Sequence, residues 1–195
     1  MPASKKPTLR RIAVYLAAVL VLLSARPTPR FYAIGAGLCL LGELLRIWAC
    51  GHLRKNQAVI QSGPYAHVKN PLYLGTFLIL LGVIFAASDP SVGSFSRYLL
   101  IVFLPLVLGV FFFYYLPHKF RVEGGRLRRR FGAAWDEYDR RVPDFIPSPW
   151  PRVAVPGSWN GVLVLENSEL PTALVVVGAL AIIGSRLLVS LPTLW

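Results

Sequence analysis

The chain has 195 residues, 55% of them apolar and only 15% charged, with a formal net charge of +12. Soluble domains carry about 25% charged residues, so this composition excludes an ordinary soluble globule, and two cysteines exclude a disulfide framework or a cysteine-built zinc site. The basic excess does not call for nucleic acid: "RLRRR" at 126–130 stands beside an apolar run, where such clusters set membrane topology and attract anionic lipid. The expected partners are therefore membrane lipids, and no nucleic acid.

The apolar residues are gathered into five runs, at 12–25, 31–42 (continuing past Glu43 and Arg46 to Cys50), 72–87, 98–116 and 173–191. A crossing helix needs about 20 mostly apolar residues. The fourth run reaches that cleanly, and the second and fifth reach it by tolerating an ionic residue. The first and third are short and need tilt or a locally thinned bilayer. The first follows "KKPTLRR", as a secretory leader would, but Leu23 stands where cleavage after Ala25 demands a small residue. The expectation is an all-α, polytopic integral membrane protein in a single domain. It has about five transmembrane helices plus a cytoplasmic amphipathic helix.

With the N-terminus inside, sixteen of the 21 lysines and arginines fall on the cytoplasmic side. They include Lys5, Lys6, Arg10, Arg11, Arg54, Lys55, Lys69 and nine between 119 and 152. Only Arg26, Arg30 and Arg97 fall outside. That bias predicts cytoplasmic placement of the N-terminus and both polar segments, in a membrane that would be a bacterial inner membrane. Within the runs, Glu43 and Arg46 lie one turn apart and can pair along one helix face. Arg186 is expected to snorkel to an interface. Cys39 and Cys50 read as buried, inert thiols, while Gly35, Gly37 and Gly42 permit close helix packing.

The second polar segment is too long to be a plain connector. Val122, Leu127, Phe131, Trp135, Tyr138 and Val142 recur at helical spacing with charges between them, which predicts an amphipathic helix on the membrane surface. Prolines at 143, 147, 149, 151 and 156 exclude regular helix beyond it, and Trp150 and Trp159 suit an interface.

The stretch with most chemistry is "GPYAHVKNPLYLG", residues 63–75. Pro71 suits the first turn of a helix, and Asn70, held extended before it, can cap that helix. Free N–H groups of Leu72 and Tyr73 would then face an anionic or zwitterionic ligand. Tyr65, His67, Lys69 and Tyr73 add rings, a cation and donors, and Gly75 permits close approach of a ligand or a helix. An ordinary helix start would look similar.

The stretch resembles the cofactor signature of the isoprenylcysteine carboxyl methyltransferase family, G-x-Y-x-x-x-R-H-P-x-Y-x-G. "EGGRLRRRFGAAWDEYDRRVPDFIP", from Glu123, resembles that family's C-terminal signature, so the resemblance covers about residues 51–147. It implies an integral membrane methyltransferase that uses S-adenosylmethionine in a cytoplasm-facing pocket. A lipophilic or lipidated acceptor, such as a prenyl-cysteine-like carboxylate, would enter from the bilayer. Carried over by position, the cofactor residues are Gln57, Ala58, Val59, Ile60, Tyr65, Lys69, Asn70, Pro71, Leu72, Tyr73 and Gly75. Glu123 and His118 are the candidate catalytic groups, Arg121 a candidate substrate contact, and no metal is implied. Lys69 stands for the family's arginine, Asn70 for its histidine and Gly124 for its second glutamate. The asparagine–proline pair is shared with the related phospholipid N-methyltransferases. Three further readings are a phospholipid N-methyltransferase, a sterol-reductase-like enzyme using a nicotinamide nucleotide and a non-catalytic membrane protein of the same fold.

Overall fold

The structure, a computed structural model, describes residues 9–55, 57–91, 93–153 and 155–190. Lys5, Lys6 and residue 191 of the last apolar run lie outside the described residues. Every regular element among the described residues is helical: α1 (Leu9–Ser24), α2 (Pro29–His52), α3 (Pro71–Ala86), α4 (Leu99–Phe131), α5 (Ala133–Arg141), α6 (Gly161–Glu166) and α7 (Glu169–Ser190), with a single 3₁₀ turn at Gly63–Ala66.

Three helices are long and apolar enough to cross a membrane, namely α2, α4 and the Glu169–Leu188 part of α7. The apolar part of α1 (Tyr15–Ser24) and α3 are shorter, so of the five expected spans three have helices of crossing length among the described residues. Side chains facing outward along these helices are overwhelmingly apolar, Leu40, Leu41, Leu44, Phe113, Leu174, Val175 and Val177 among them, as a lipid-bathed surface requires.

The amphipathic segment departs from expectation in a second way. It does not lie as one helix on the surface, because residues 116–131 continue α4. At 33 residues, and about 1.5 Å per residue, α4 extends roughly 50 Å against a hydrocarbon core of about 30 Å, so its charged C-terminal third projects beyond the membrane. Pro105 and Pro117 do not break it. Two residues before each proline a widened turn ends, in which Leu104 N–H bonds Leu99 O and Leu116 N–H bonds Phe111 O, five residues back. The wider turn makes room for a proline ring that would strike the carbonyl four residues back. Gly132, at φ +53°, ends α4 and redirects the chain into α5. The predicted stripe then closes a core: Leu127 and Phe131 from α4 pack on Trp135, Tyr138 and Val142, with Ala66, Val153 and Val59. Val122 stays exposed.

The tightest junction is the antiparallel pair α2–α3, built on two glycine crossings. A Cβ on Gly35 would lie 2.3 Å from Gly82 O and from Ala86 N, and one on Gly42 would lie 2.7 Å from Gly75 O. The reverse also holds, since Cβ atoms on Gly75 and Gly82 would meet Gly42 O at 2.8 Å and Gly35 O at 2.6 Å. Glycines seven residues apart on each helix thus let the backbones touch. Gly37 faces open space and takes no part.

At the far end of this pair, Val21 of α1 and Ala25 just beyond it pack with Ile84, Ala86, Ala87, Leu99 and Ile183. Arg186 of α7 also reaches this end of α1. Its Nη1 donates to Leu23 O (3.0 Å) and Ala25 O (2.8 Å), the carbonyls that the end of α1 leaves unpaired. At the near end, the proline-rich segment after α5 is irregular, as expected, and is laced across the 3₁₀ turn. Ser148 N–H donates to His67 O (2.9 Å), Arg152 N–H to Ala66 O (2.8 Å) and Asn160 N–H to Gly51 O (2.9 Å), while Lys69 N–H donates to Pro143 O (2.8 Å).

Candidate functional site

Between the 3₁₀ turn, the start of α3, the projecting part of α4 and α5 lies a cavity of about 830 Å³. That is within the roughly 300–1,000 Å³ of small-molecule sites. Ala58, Val59, Ile60, Tyr65, Lys69, Asn70, Pro71, Leu72, Tyr73, Arg121 and Glu123 lie on its wall. Three sequence-predicted residues do not. Gln57 is exposed on the loop. Gly75 is buried against Arg46 and Gly42 of α2, so the close approach it permits is that of a helix. His118 is exposed on α4 and stacks on Tyr114, with ring centroids 6.1 Å apart.

The cations and carboxylates on the wall are largely committed to each other. The Lys69 side chain is only 6% exposed, and its ammonium reaches Asp139 Oδ1 at 2.6 Å, Asp144 Oδ1 at 2.7 Å and Asp139 O at 3.1 Å. It thereby ties the start of α3 to α5 and to the segment beyond. Asp139 is also approached by Arg128 (3.6 Å), whose Nε reaches Asp136 at 2.6 Å. Asn70 does not cap α3 with its side chain. Its Nδ2 donates to Asp144 O (3.0 Å), while its backbone carbonyl takes the N–H of Tyr73 (3.1 Å) and Leu74 (3.2 Å). The Tyr73 amide is therefore unavailable to a ligand, contrary to expectation.

The Tyr73 hydroxyl donates to Glu123 Oε2, and Arg126 stands 3.5 Å from the other oxygen. Lys119 lies over the rings of Tyr73 and Tyr115, 5.9 and 5.8 Å from their centroids. Deeper, the Tyr138 hydroxyl donates to Tyr65 O at 2.8 Å. Burial pushes both phenols above their ordinary range, so each stays neutral and can donate. The wall thus combines neutral phenols and Trp135 with a rim of Arg54, Lys55 and Arg121. Such a surface suits an aromatic or amphiphilic ligand bearing anionic groups.

Sequence reasoning missed Asp139 and Asp144. A lysine bound for burial needs carboxylates nearby, but no spacing in the chain connects position 69 to position 139. Glu43 and Arg46 do not form the simple pair expected either. The Arg46 guanidinium instead clamps Glu169 of α7, with Nε to Oε1 at 2.6 Å and Nη2 to Oε2 at 2.8 Å, and donates to Thr76 Oγ1 at 2.6 Å. Cys50 Sγ donates to Glu169 Oε2 at 3.4 Å. Among the described residues, no group of three or more histidine, cysteine, aspartate or glutamate side chains is arranged to hold a metal ion.

The chain is similar to two curated proteins. One is the cobalt-zinc-cadmium resistance protein CzcN of Cupriavidus metallidurans, 30% identical over 116 residues, which are 58% of this chain and 46% of that one. The other is the nickel-cobalt-cadmium resistance protein NccN of Alcaligenes xylosoxydans xylosoxydans, 29% identical over 104 residues, 52% of this chain and 43% of that one. The chain spans about half the length of the curated relatives it matches. No family model matches it, and no solved structure does. These findings correct the resemblance drawn from residues 63–75 and 123–147. The relatives are named for metal resistance, so the expectation of an isoprenylcysteine-type methyltransferase is withdrawn. The phospholipid N-methyltransferase and sterol-reductase alternatives have no support either. What the relatives and the apolar helices support together is a membrane location.

Proposed function

We propose that the chain is a membrane component of a metal-resistance system and that it contributes through the cavity beside α3 and α4. The observation that carries this reading is its similarity, over more than half its length, to two proteins named for resistance to cobalt and cadmium together with zinc or nickel. The cavity faces the cytoplasm in this reading, because the lysine and arginine bias puts the projecting end of α4 on that side. Its proposed occupant is S-adenosylmethionine, bound as a ligand with no reaction assigned to it. Phenols and Trp135 offer faces to an adenine, and the basic rim offers partners to a carboxylate.

The test has two arms. Expression in a metal-sensitive bacterial strain should raise the cadmium, cobalt or zinc concentration that halts growth, and Tyr65→Ala together with Trp135→Ala should cancel the gain at equal membrane abundance. Unchanged tolerance on expression of the wild-type chain would refute the resistance reading. Calorimetric titration of purified protein with S-adenosylmethionine tests the ligand separately, and absence of heat at millimolar ligand refutes it alone.

A further inference from the structure

Among the described residues of the membrane part, one buried carboxylate makes no hydrogen bond. Glu43 of α2 is 8% exposed, and both of its carboxylate oxygens are buried without a hydrogen bond. It lies well inside a spanning helix, where an ionised side chain without a partner is costly. The charged groups acting on it are Arg46 from its own helix and Glu169 from α7. Four of the five N–H donors of Arg46 go to the two Glu169 oxygens, Thr76 Oγ1 and Leu72 O (3.3 Å), and none bonds Glu43. From α3 the cluster meets the Thr76 hydroxyl and the Leu72 carbonyl, neither of them charged, and the thiols of Cys39 and Cys50 flank it along α2. Counting charges, Arg46 balances Glu169, and Glu43 is left short of one positive charge.

We propose that Glu43 is a proton-binding site within the membrane, holding one exchangeable proton at neutral pH with Glu169 as its neighbouring acceptor. The proton supplies the missing charge and gives Glu43 the donor it lacks. Its loss places two carboxylates on a single guanidinium at the junction of α2, α3 and α7. That weakens the hold of Arg46 on Glu169, so the proton acts as a latch on the start of α7. A divalent cation is the competing occupant. The proton is favoured because the described carboxylates and thiols do not converge in a metal-holding arrangement. This inference is independent of what fills the cavity.

Infrared spectroscopy of the purified full chain in lipid nanodiscs tests it. A carboxylic-acid C=O band should be present at neutral pH, shift on exchange into heavy water, and diminish as pH is raised. Glu43→Gln, which mimics the protonated side chain, should fold, lose that band and remove the alkaline loss of thermal stability seen in the wild type. Glu169→Gln decides independently, including where the first variant does not fold. With Arg46 released, Glu43 ionises as its partner, and the band disappears from a folded protein. The proposal is overturned if the wild type has no such band at neutral pH, or if the band survives in either folded variant. Stoichiometric cadmium or zinc binding to the wild type that Glu43→Gln abolishes would overturn it in favour of a metal site.

Discussion

Replacing Gly35 by alanine tests whether backbone contact between α2 and α3 organises this protein. In a free helix the change should help, since alanine is favoured over glycine by about 1 kcal/mol. Here the new methyl would sit 2.3 Å from Gly82 O and Ala86 N and 2.7 Å from Ala86 Cα, all backbone atoms with no rotamer to yield. Reaching ordinary contact, from 3.4 Å outward, requires the helices to part by roughly 1 Å at this crossing. A gap of that size forfeits a quarter to a half of each dispersion contact along the seam. Overpacking of this kind costs about 1–3 kcal/mol, which outweighs the propensity gain. Gly37→Ala is the matched control, two residues away on the same helix and facing nothing within 4 Å. Thermal unfolding in a mild detergent, followed by circular dichroism, should show Gly35→Ala melting several degrees below the wild type and Gly37→Ala at or above it. Equal melting temperatures for the two variants would refute the glycine seam.

The ion cluster at the start of α3 predicts coupling between Lys69 and Asp139. Lys69→Met alone should destabilise by about 1–3 kcal/mol, toward the lower end because Asp139 and Asp144 keep contact with water. The double change with Asp139→Asn should cost less than the sum, and an additive cycle would contradict the pairing. Arg186→Met should lower stability by about 1 kcal/mol through loss of two bonds to the end of α1, and Arg186→Lys should recover only part of it. In the loop after α3, hydrogen bonds from the Ser91 hydroxyl and N–H hold the Asp89 carboxyl below its ordinary range. Asp89 therefore stabilises that loop above its unfolded value and loses the effect as pH falls through its folded one. Exchange of the Ser91 amide should quicken on acidification in the wild type, and Asp89→Asn should remove that dependence.

Local patterns were the legible part of this chain. Apolar runs mark every long helix, Pro71 marks the start of α3, and the stripe from Leu127 to Val142 marks the core beneath the cavity, because each depends on neighbours within a few turns. The span count was legible only in part, because hydropathy measures composition and not helix length. The described apolar part of α1, from Tyr15 to Ser24, and the 16 residues of α3 are shorter than the three helices of crossing length. The charged segment was read as a separate helix because its polarity changes at Pro117, yet the backbone continues through that proline by widening a turn. Charge partners were the least legible. Glu43 and Arg46 fit the spacing rule for a helical pair, but a bidentate carboxylate from α7 competes better for the guanidinium than Glu43 does. The signature at 63–75 did place residues on a cavity wall, yet what a motif shares with a family does not carry the family's reaction, and the relatives pointed elsewhere.

Arg46 is also where the two sites meet. Its Nη1 donates to Leu72 O, and Leu72 lines the cavity one residue before Tyr73. Its Nε and Nη2 hold Glu169, beside Glu43. The chain of contacts from cavity wall to buried carboxylate is therefore one guanidinium long. Gly75 and Gly42 keep that path rigid, because a Cβ on Gly75 would lie 2.4 Å from Arg46 Cγ and 2.8 Å from Gly42 O, so α3 has no slack against α2 there. A ligand that shifts the first turn of α3 must then either strain the Arg46–Leu72 bond or carry the guanidinium with it. Binding in the cavity and proton occupancy at Glu43 should be thermodynamically linked, and linkage is reciprocal. If the two sites share Arg46, ligand affinity will vary with pH in the wild type and become flat in Glu43→Gln. An affinity that keeps its full pH dependence in that variant would show that the cavity and the buried carboxylate act separately.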